Sequence, residues 1–440
     1  ASREAQARET ERVAGVRRVA ADHPAVEAQA IREGWTVDAT ELHVLRASRP
    51  AVGVHAGHGP GMPSGVSPWR VIEAAALQAG RLPAVERQGF SDAELQAAHT
   101  RFRGRIGLQE LILEAAWMSG YHGRSFRSDP RGVLQAAFSS RDISGILSNV
   151  ANKFLLMGWN AVEGAWREIC AIRPVSDFKE ISSYRLTGDL KYSKVGADGE
   201  IEHGDLGELA YGNKADTYAK MLAVTRQDLI NDDLSAITTG SPVKLGRGAG
   251  LKVNEVCWAE FLDNSDFFKS DNANYITGAT AGETTESRLS IDGLTRAEKT
   301  FLDQTDTEGD PVGLMPKILL VPTALKVAAE VLMNSTEVRD TTASTKYATV
   351  NPHAGKLKPV VSAYLGNSRF TGYSSKKWYV LADPNELPVI EGAFLNGAME
   401  PTVENAEADF NTLGIQMRGY HDFGFRLQDH RGGVAAKGEA

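Results

Sequence analysis

Up to about residue 160 the apolar residues of this chain recur at helical spacing, and from Phe178 onward they alternate. That switch limits the architecture more than any single motif. It requires a helical front followed by a mixed region whose strands pair over long sequence distances, an α+β chain. In the front, Val13, Val16 and Val19 recur every three residues, and Pro24 fits the first turn of a second helix through Gln29 and Ile31. Asp38 or Thr40 is placed to cap a third, short helix over Leu42 and Leu45. Residues 50–68, rich in Gly and Pro, read as a linker. Helices are expected again over 69–78, over 92–101 behind a Ser91 cap, over 108–118, and over 143–159.

The region after Phe178 opens with a polar, glycine-rich stretch. Tyr184, Leu186, Leu190 and Tyr192 alternate, and Asp198-Gly199 is a hairpin turn signal. These arms describe a long hairpin with little core of its own, which is marginal in water and must lie on something else. Tyr218 to Thr225 reads as a better strand. A long helix is expected over 243–261, with Val253, Val256, Cys257 and Phe261 on one face, turned toward a sheet that includes residues 218–224. Residues 264–290 read as a loop and 292–303 as a helix. Strands follow at 317–321, 378–381, 415–418 and 423–426, with a helix after Pro322 through Leu332.

Charge divides the chain in the same way. Residues 1–152 carry 18 Arg, no Lys and 16 acidic residues, a net of +2, whereas the remainder has 30 basic and 40 acidic residues, a net of −10. Two segments with different roles are expected, neither basic enough for a nucleic-acid reader. No run of about 18 apolar residues predicts a membrane helix. The chain opens on Ala1-Ser2-Arg3-Glu4, without the apolar core of a signal peptide and without an initiator Met, as expected of a trimmed chain or a piece of a longer product.

Catalytic signatures are scarce. The sequence has no G-x-S-x-G, H-E-x-x-H or G-x-x-x-x-G-K-[ST]. Gly246-Arg247-Gly248-Ala249-Gly250 lacks the Lys-Ser/Thr of a phosphate loop and reads as a helix start or hinge. His55 and His58 lie in the linker without a third ligand. Asp228, Asp232 and Asp233 lack the graded spacing of a calcium loop and read as helix-end caps. His421 and His430 have no nucleophile beside them in sequence. Cys170 and Cys257, set among apolar residues without CxxC spacing, read as buried, inert thiols. No cofactor or metal is expected.

Several segments resemble those of a known family. Ile143 to Leu156, followed by Trp166-Arg167-Glu168-Ile169-Cys170 and Val175-Ser176-Asp177-Phe178-Lys179, looks like the N-terminal arm of Mu-type phage major head proteins. Glu202-His203-Gly204-Asp205-Leu206-Gly207-Glu208 is similar to the return arm of their extended loop. Thr225-Arg226-Gln227-Asp228-Leu229-Ile230-Asn231-Asp232-Asp233-Leu234, the most specific match, resembles the segment leading into their spine helix. Leu319-Leu320-Val321-Pro322 and Asp429-His430-Arg431-Gly432 fit as well. Further forward, residues 23–28, 31–35, 40–42, 45–50, 98–104 and 107–111 resemble the region between protease and capsid in prophage protease–capsid fusion proteins.

The resemblance implies the Hong Kong 97 type capsid fold over about residues 140–432. It assigns an N-arm to 139–175, an extended (E-) loop with flanking strands to 176–224, and a peripheral domain with spine helix to 225–314. An axial domain then falls at 315–415 and a return to the peripheral domain at 416–440. Residues 1–138 become a helical scaffold-like segment of the kind a maturation protease often removes. The implied function is the major head protein of a tailed phage or prophage. It would self-assemble into pentamers and hexamers of an icosahedral shell around double-stranded DNA, held without sequence-specific contact. The implied partners are further copies of the chain, a maturation protease and a portal; no membrane is involved. The shell would be assembled in the bacterial host cytoplasm and would end in the virion. Lys191, Lys194, Asp198 and Gly199 are the hairpin residues expected at subunit contacts, and some relatives cross-link covalently through such a loop. An encapsulin-like compartment shell is the rival on the same fold, and a hydrolase or protease the rival of another class.

Overall fold

The computed structural model describes residues 2–21, 24–37, 39–40, 66–83, 85, 89–139, 141–187, 207–278, 287–307, 309–338, 349–409 and 414–439. The chain divides into two units. Of the described residues, one comprises those up to Ile146 together with Leu229–Asp233, and the other Leu147–Asp228, Leu234–Asp409 and those from Gly414 onward. The expected front segment ended at residue 138; the unit runs further and also takes in five residues from much later in the sequence.

In the N-terminal unit, helices Ser2–Val19 and Pro24–Glu33 pack on each other, and four more follow at Pro68–Ala79, Asp92–Phe102, Leu108–Met118 and Pro130–Ala137. Their ends are set by local chemistry. Ser91 and Glu94 form a reciprocal capping box, and the Asp129 carboxylate accepts from the Gly132 amide at 2.9 Å. Val71, Ile72, Leu77, Leu108, Leu111 and Ile112 are fully buried, and such side chains contribute roughly 1.5–3 kcal/mol each. Arg101 forks onto both oxygens of Glu114 at 2.8 and 2.7 Å. Burial nevertheless raises the Glu114 pKa, with Arg101 acting against it.

The second unit is built on two five-stranded sheets and a separate hairpin. The first sheet contains β1 (Cys170–Val175), β4 (Asp216–Val224), β11 (Ile390–Leu395), β12 (Thr402–Asp409) and β13 (Gly414–Leu427). The second contains β5 (Tyr275–Ile276), β6 (Ile318–Pro322), β9 (Lys358–Ser362), β10 (Trp378–Leu381) and β14 (Gly433–Ala436). β2 (Ile181–Thr187) and β3 (Gly207–Asn213) form the hairpin stem, and β7 (Glu337–Val338) pairs with β8 (Thr349–Val350).

Several strands differ from the sequence expectation. Residues 415–418 and 423–426 are parts of one 14-residue strand, β13. Its first half pairs with β4 and β12 and its second half with β11. Residues 264–290 are not loop throughout, because Tyr275–Ile276 pairs with β14. Nor do the sheets follow the linear boundaries. β11 and β12 lie in the first sheet although they fall within 315–415, and β14 returns to the second sheet.

The long helix spans Ser241–Leu262 with Pro242 in its first turn, and it packs on β13 and β4. Val253, Cys257 and Phe261 are buried and Val256 is half-buried at the edge of the stripe. The buried face also takes in Gly246, Gly250, Asn254 and Trp258, so it is wider than the apolar spacing indicated. The glycine-rich run 246–250 therefore sits inside this helix and is neither a start nor a hinge. It is where the helix meets Leu155 and Gly158 of an earlier helix, Arg141–Asn160. A Cβ on Gly246 would fall 1.9 Å from the Leu155 carbonyl oxygen, and one on Gly158 would fall 2.0 Å from that of Val243. Only glycine permits this approach.

Alternation in the second sheet fills two cores. Leu319, Val321, Trp378 and Val380 face helices Ile291–Leu302 and Lys326–Asn334, whereas Ile318, Leu320, Tyr379 and Leu381 face the long helix. Phe261 sits at the centre of the second of these cores: its ring lies 5.0 Å from Tyr379 and 5.8 Å from both Trp258 and Phe268.

Candidate assembly site

The hairpin stem pairs antiparallel from Ile181↔Asn213 to Thr187↔Gly207. It forms its own two-stranded sheet, so its hold on the rest of the unit depends on its root. That root has an apolar and a polar half. Val175, Ala215 and Ala393 are buried together, with Ile181 and Leu395 packed against them. Beside them stands Glu391, an acid on β11 that is only 6% exposed.

A buried carboxylate is costly unless its lone pairs are filled. Here Asn213, the last residue of β3, donates its Nδ2 to the Glu391 Oε1 at 3.2 Å and to the Glu391 backbone carbonyl at 3.1 Å. Ser183 of β2 donates its hydroxyl to Oε2 at 3.0 Å. The Arg173 guanidinium on β1 donates to the Ser183 hydroxyl oxygen and stands 3.8 Å from Oε2. One carboxylate thus ties both strands of the stem to two strands of the first sheet. Gly424 admits the chain next to it, since a Cβ there would fall 1.8 Å from the Lys214 carbonyl oxygen.

A second buried ion pair supports the same strand. Arg431 forks onto Asp429 at 2.9 and 2.8 Å, both residues being almost fully buried. The guanidinium pKa is raised, first by the hydrogen bond to Asp429 and also by interaction with Tyr211 of β3. The Asp429-His430-Arg431-Gly432 segment singled out in the sequence therefore has a local physical task.

Lys191, Lys194, Asp198 and Gly199 of the hairpin lie outside the described residues, as do His55 and His58. Val253, Cys257 and Phe261 meet in the core beneath the sheets and not at the hairpin root. Asp228 accepts from the Thr225 amide and hydroxyl at 2.8 Å each, a helix-capping arrangement. Asp232 accepts from the Gln109 amide at 2.6 Å and so caps helix Leu108–Met118. In return the Gln109 side chain donates to the carbonyls of Leu229 and Ile230 at 2.8 and 2.9 Å. His421 is buried against Trp159, Phe394 and Phe423, and its ring nitrogens make no well-formed hydrogen bond. Burial lowers its pKa to about 4, against weak backbone interactions at Ala398 and Met399. Burial also lowers the His430 pKa.

Among the described residues, no three His, Cys, Asp or Glu side chains gather to hold a metal, and no helix is long and apolar enough to cross a membrane. Sequence reasoning missed Arg173, Ser183, Asn213 and Glu391. The available signal was Glu391 itself, a lone acid inside the apolar run from Pro388 to Phe394.

The family model described as phage capsid protein matches residues 210–436, more than half of the chain. The chain belongs to the phage capsid protein family. Membership places it in the virion and gives it self-assembly into a shell as a structural role. A search of curated proteins finds no match. Among solved structures the chain is similar to a virus-like particle from Pyrococcus furiosus, at 11% identity over 65% of this chain and 97% of that one, with a TM-score of 0.35. It is similar also to Mycobacterium phage Adephagia, at 13% identity over 64% and 92% with a TM-score of 0.42. A phage-related protein from Bordetella bronchiseptica shares 14% identity over 67% and 96%, with a TM-score of 0.37. The family assignment rests on the family model. As a capsid protein the chain needs repeating surfaces.

Proposed function

We propose that this capsid protein is the major head subunit of a tailed phage or prophage. It forms pentamers and hexamers of an icosahedral shell of the Hong Kong 97 type, through contacts that close by rotation. The first sheet with helix Ser241–Leu262 serves as the peripheral domain, and the second sheet with its two covering helices serves as the axial domain. The observation that carries this reading is the hairpin: a two-stranded sheet of its own, fixed at one end by Glu391 and its partners. An element so anchored, with so little core, gains burial by lying on a neighbouring subunit. The helical N-terminal unit acts as an internal scaffold, with a maturation protease and a portal as further partners. The net charge of −10 over residues 153–440 lets double-stranded DNA be enclosed without adhering. Assembly takes place in the bacterial host cytoplasm, and the chain carries no catalysis of its own.

Deleting residues 188–207 tests the proposal. The expected product is a folded subunit with native circular dichroism that forms no closed shells in negative-stain images. Closed shells of normal size from that deletion would overturn it.

A further inference from the structure

Cys170 and Cys257 are 87 positions apart in sequence, yet their Sγ atoms stand 3.7 Å from each other. Cys170 is the first residue of β1, and Cys257 lies in the second half of helix Ser241–Leu262. The thiols are 3% and 0% exposed, in the cluster that also holds Trp166, Trp258 and Phe261. Neither is disulfide-bonded. Chance burial of two thiols does not by itself bring them into contact. With the sulfurs already touching, rotation of the two side chains is the movement required to bring them to the roughly 2 Å of a bond.

We propose that Cys170 and Cys257 are a latent intrachain disulfide, formed when the capsid protein meets a small peroxide oxidant. The size of the oxidant follows from the burial, because a bulky disulfide reagent has no room beside sulfurs so enclosed. In the first step one cysteine sulfur attacks peroxide. An S–O bond forms, the O–O bond breaks, and the departing hydroxide takes up the thiol proton as water, leaving a sulfenic acid. In the second step the other cysteine sulfur attacks the sulfenic sulfur. The S–S bond forms, the S–O bond breaks, and the hydroxide leaves as water with the second thiol proton. Two thiols and one peroxide give one disulfide and two waters, two electrons passing from sulfur to peroxide oxygen. Burial, and then the hydrogen bond between the two thiols, hold the Cys170 proton on. The thiolate is therefore scarce and the reaction slow, so the pair stays reduced where peroxide is low.

The position of the bond gives it a consequence. The hairpin stem, β2 and β3, and the strand β4 all lie between the two cysteines in sequence. The disulfide therefore closes a loop that contains the whole hairpin, and it ties the start of β1 to the long helix. Closing a loop of this length restricts the unfolded chain and raises stability. A covalent staple of this kind forms after the reducing host interior is left behind. The inference rests on the two sulfurs alone and stands whether or not the hairpin mediates assembly.

The test treats the purified full chain with hydrogen peroxide, removes the excess with catalase, and digests under acidic, non-reducing conditions. Mass spectrometry should find a Cys170–Cys257 linked peptide that disappears with reductant. The Tm of the oxidised chain should exceed that of the reduced chain by several degrees and fall back on reduction. Cys257→Ser should abolish both the linked peptide and the Tm rise. If that variant does not fold, the peptide map of the unaltered chain decides alone. Recovery of both cysteines as free thiols, as separate sulfinic acids, or in links between two chains overturns the proposal.

Discussion

Gly246→Ala and Gly248→Ala, two residues apart in one helix, should change stability in opposite directions. Alanine is favoured over glycine in a helix interior by about 0.8–1.0 kcal/mol, so propensity alone predicts stabilisation at both. At Gly248 nothing lies within 4 Å of the added methyl, and the full gain should appear. At Gly246 the methyl would sit 1.9 Å from the Leu155 carbonyl oxygen, so the two helices must part by more than 1 Å. Overpacking of this kind costs typically about 1–3 kcal/mol, and here the obstacle is backbone, which has no rotamer to yield. The cost therefore falls above the bottom of that range and exceeds the gain, leaving Gly246→Ala destabilised by up to about 2 kcal/mol. Urea unfolding of unassembled subunits, followed by tryptophan fluorescence, measures both. Equal stabilisation at the two positions would show that the helices do not cross at Gly246, and the account of the glycine-rich run would fall.

Three further outcomes are expected. Phe261→Ala should cost about 3–5 kcal/mol, because its buried ring packs on Trp258, Phe268 and Tyr379, whereas Lys252→Ala should cost about 0.5–1 kcal/mol; equal losses would place the helix in another rotation. Asn213→Ala leaves the Glu391 carboxylate short of a donor, at a cost of roughly 1–3 kcal/mol; amide exchange in Ile181–Thr187 and Gly207–Asn213 should accelerate ahead of the rest of the unit, and unchanged protection would count against the root. Stability should fall as the medium is acidified from pH 6.5 toward 4. His421 has a folded pKa of about 4, below the ordinary value near 6.5, so between them the unfolded chain binds the extra proton. His421→Phe should flatten that part of the profile, with the contributions of His353 and His430, whose pKa values burial also lowers, left in place; an unchanged slope would remove His421 as the cause.

The helices were the more legible part of the sequence. The expected Ser91 cap is present, as one half of a capping box with Glu94, and the long helix extends only a residue or two past its expected ends. Strands buried on both faces were harder to see. Ile390 to Phe394 does not alternate because every one of these residues is covered, and its parallel partner β1 lies 220 positions earlier. β13 was divided in two over residues 419–422, a gap that opens at Gly419. A Cβ on Gly419 would fall 2.6 Å from the Leu245 side chain, and Gly424 clears the Lys214 carbonyl. Both glycines serve close approach within a continuous strand. The same misreading affected Gly246 and Gly250, whose spacing of four marks one packed helix face. The hairpin root was hidden for another reason. Arg173, Ser183, Asn213 and Glu391 are spread over some 220 positions, and nothing in their local sequence says that they meet.

The exchange of caps between Gln109 and Asp232 also bears on the order of synthesis. The N-terminal unit borrows Leu229–Asp233, so a ribosome that has made the first 146 residues has not yet made all of it. At roughly 5–20 residues per second the missing piece emerges several seconds later. The pairing of β1 with β11 waits longer still, until residue 390 and beyond has left the exit tunnel. The second unit therefore closes later in translation than the first. The sheets of the second unit are finished only when β13 and β14, near residue 436, have been made.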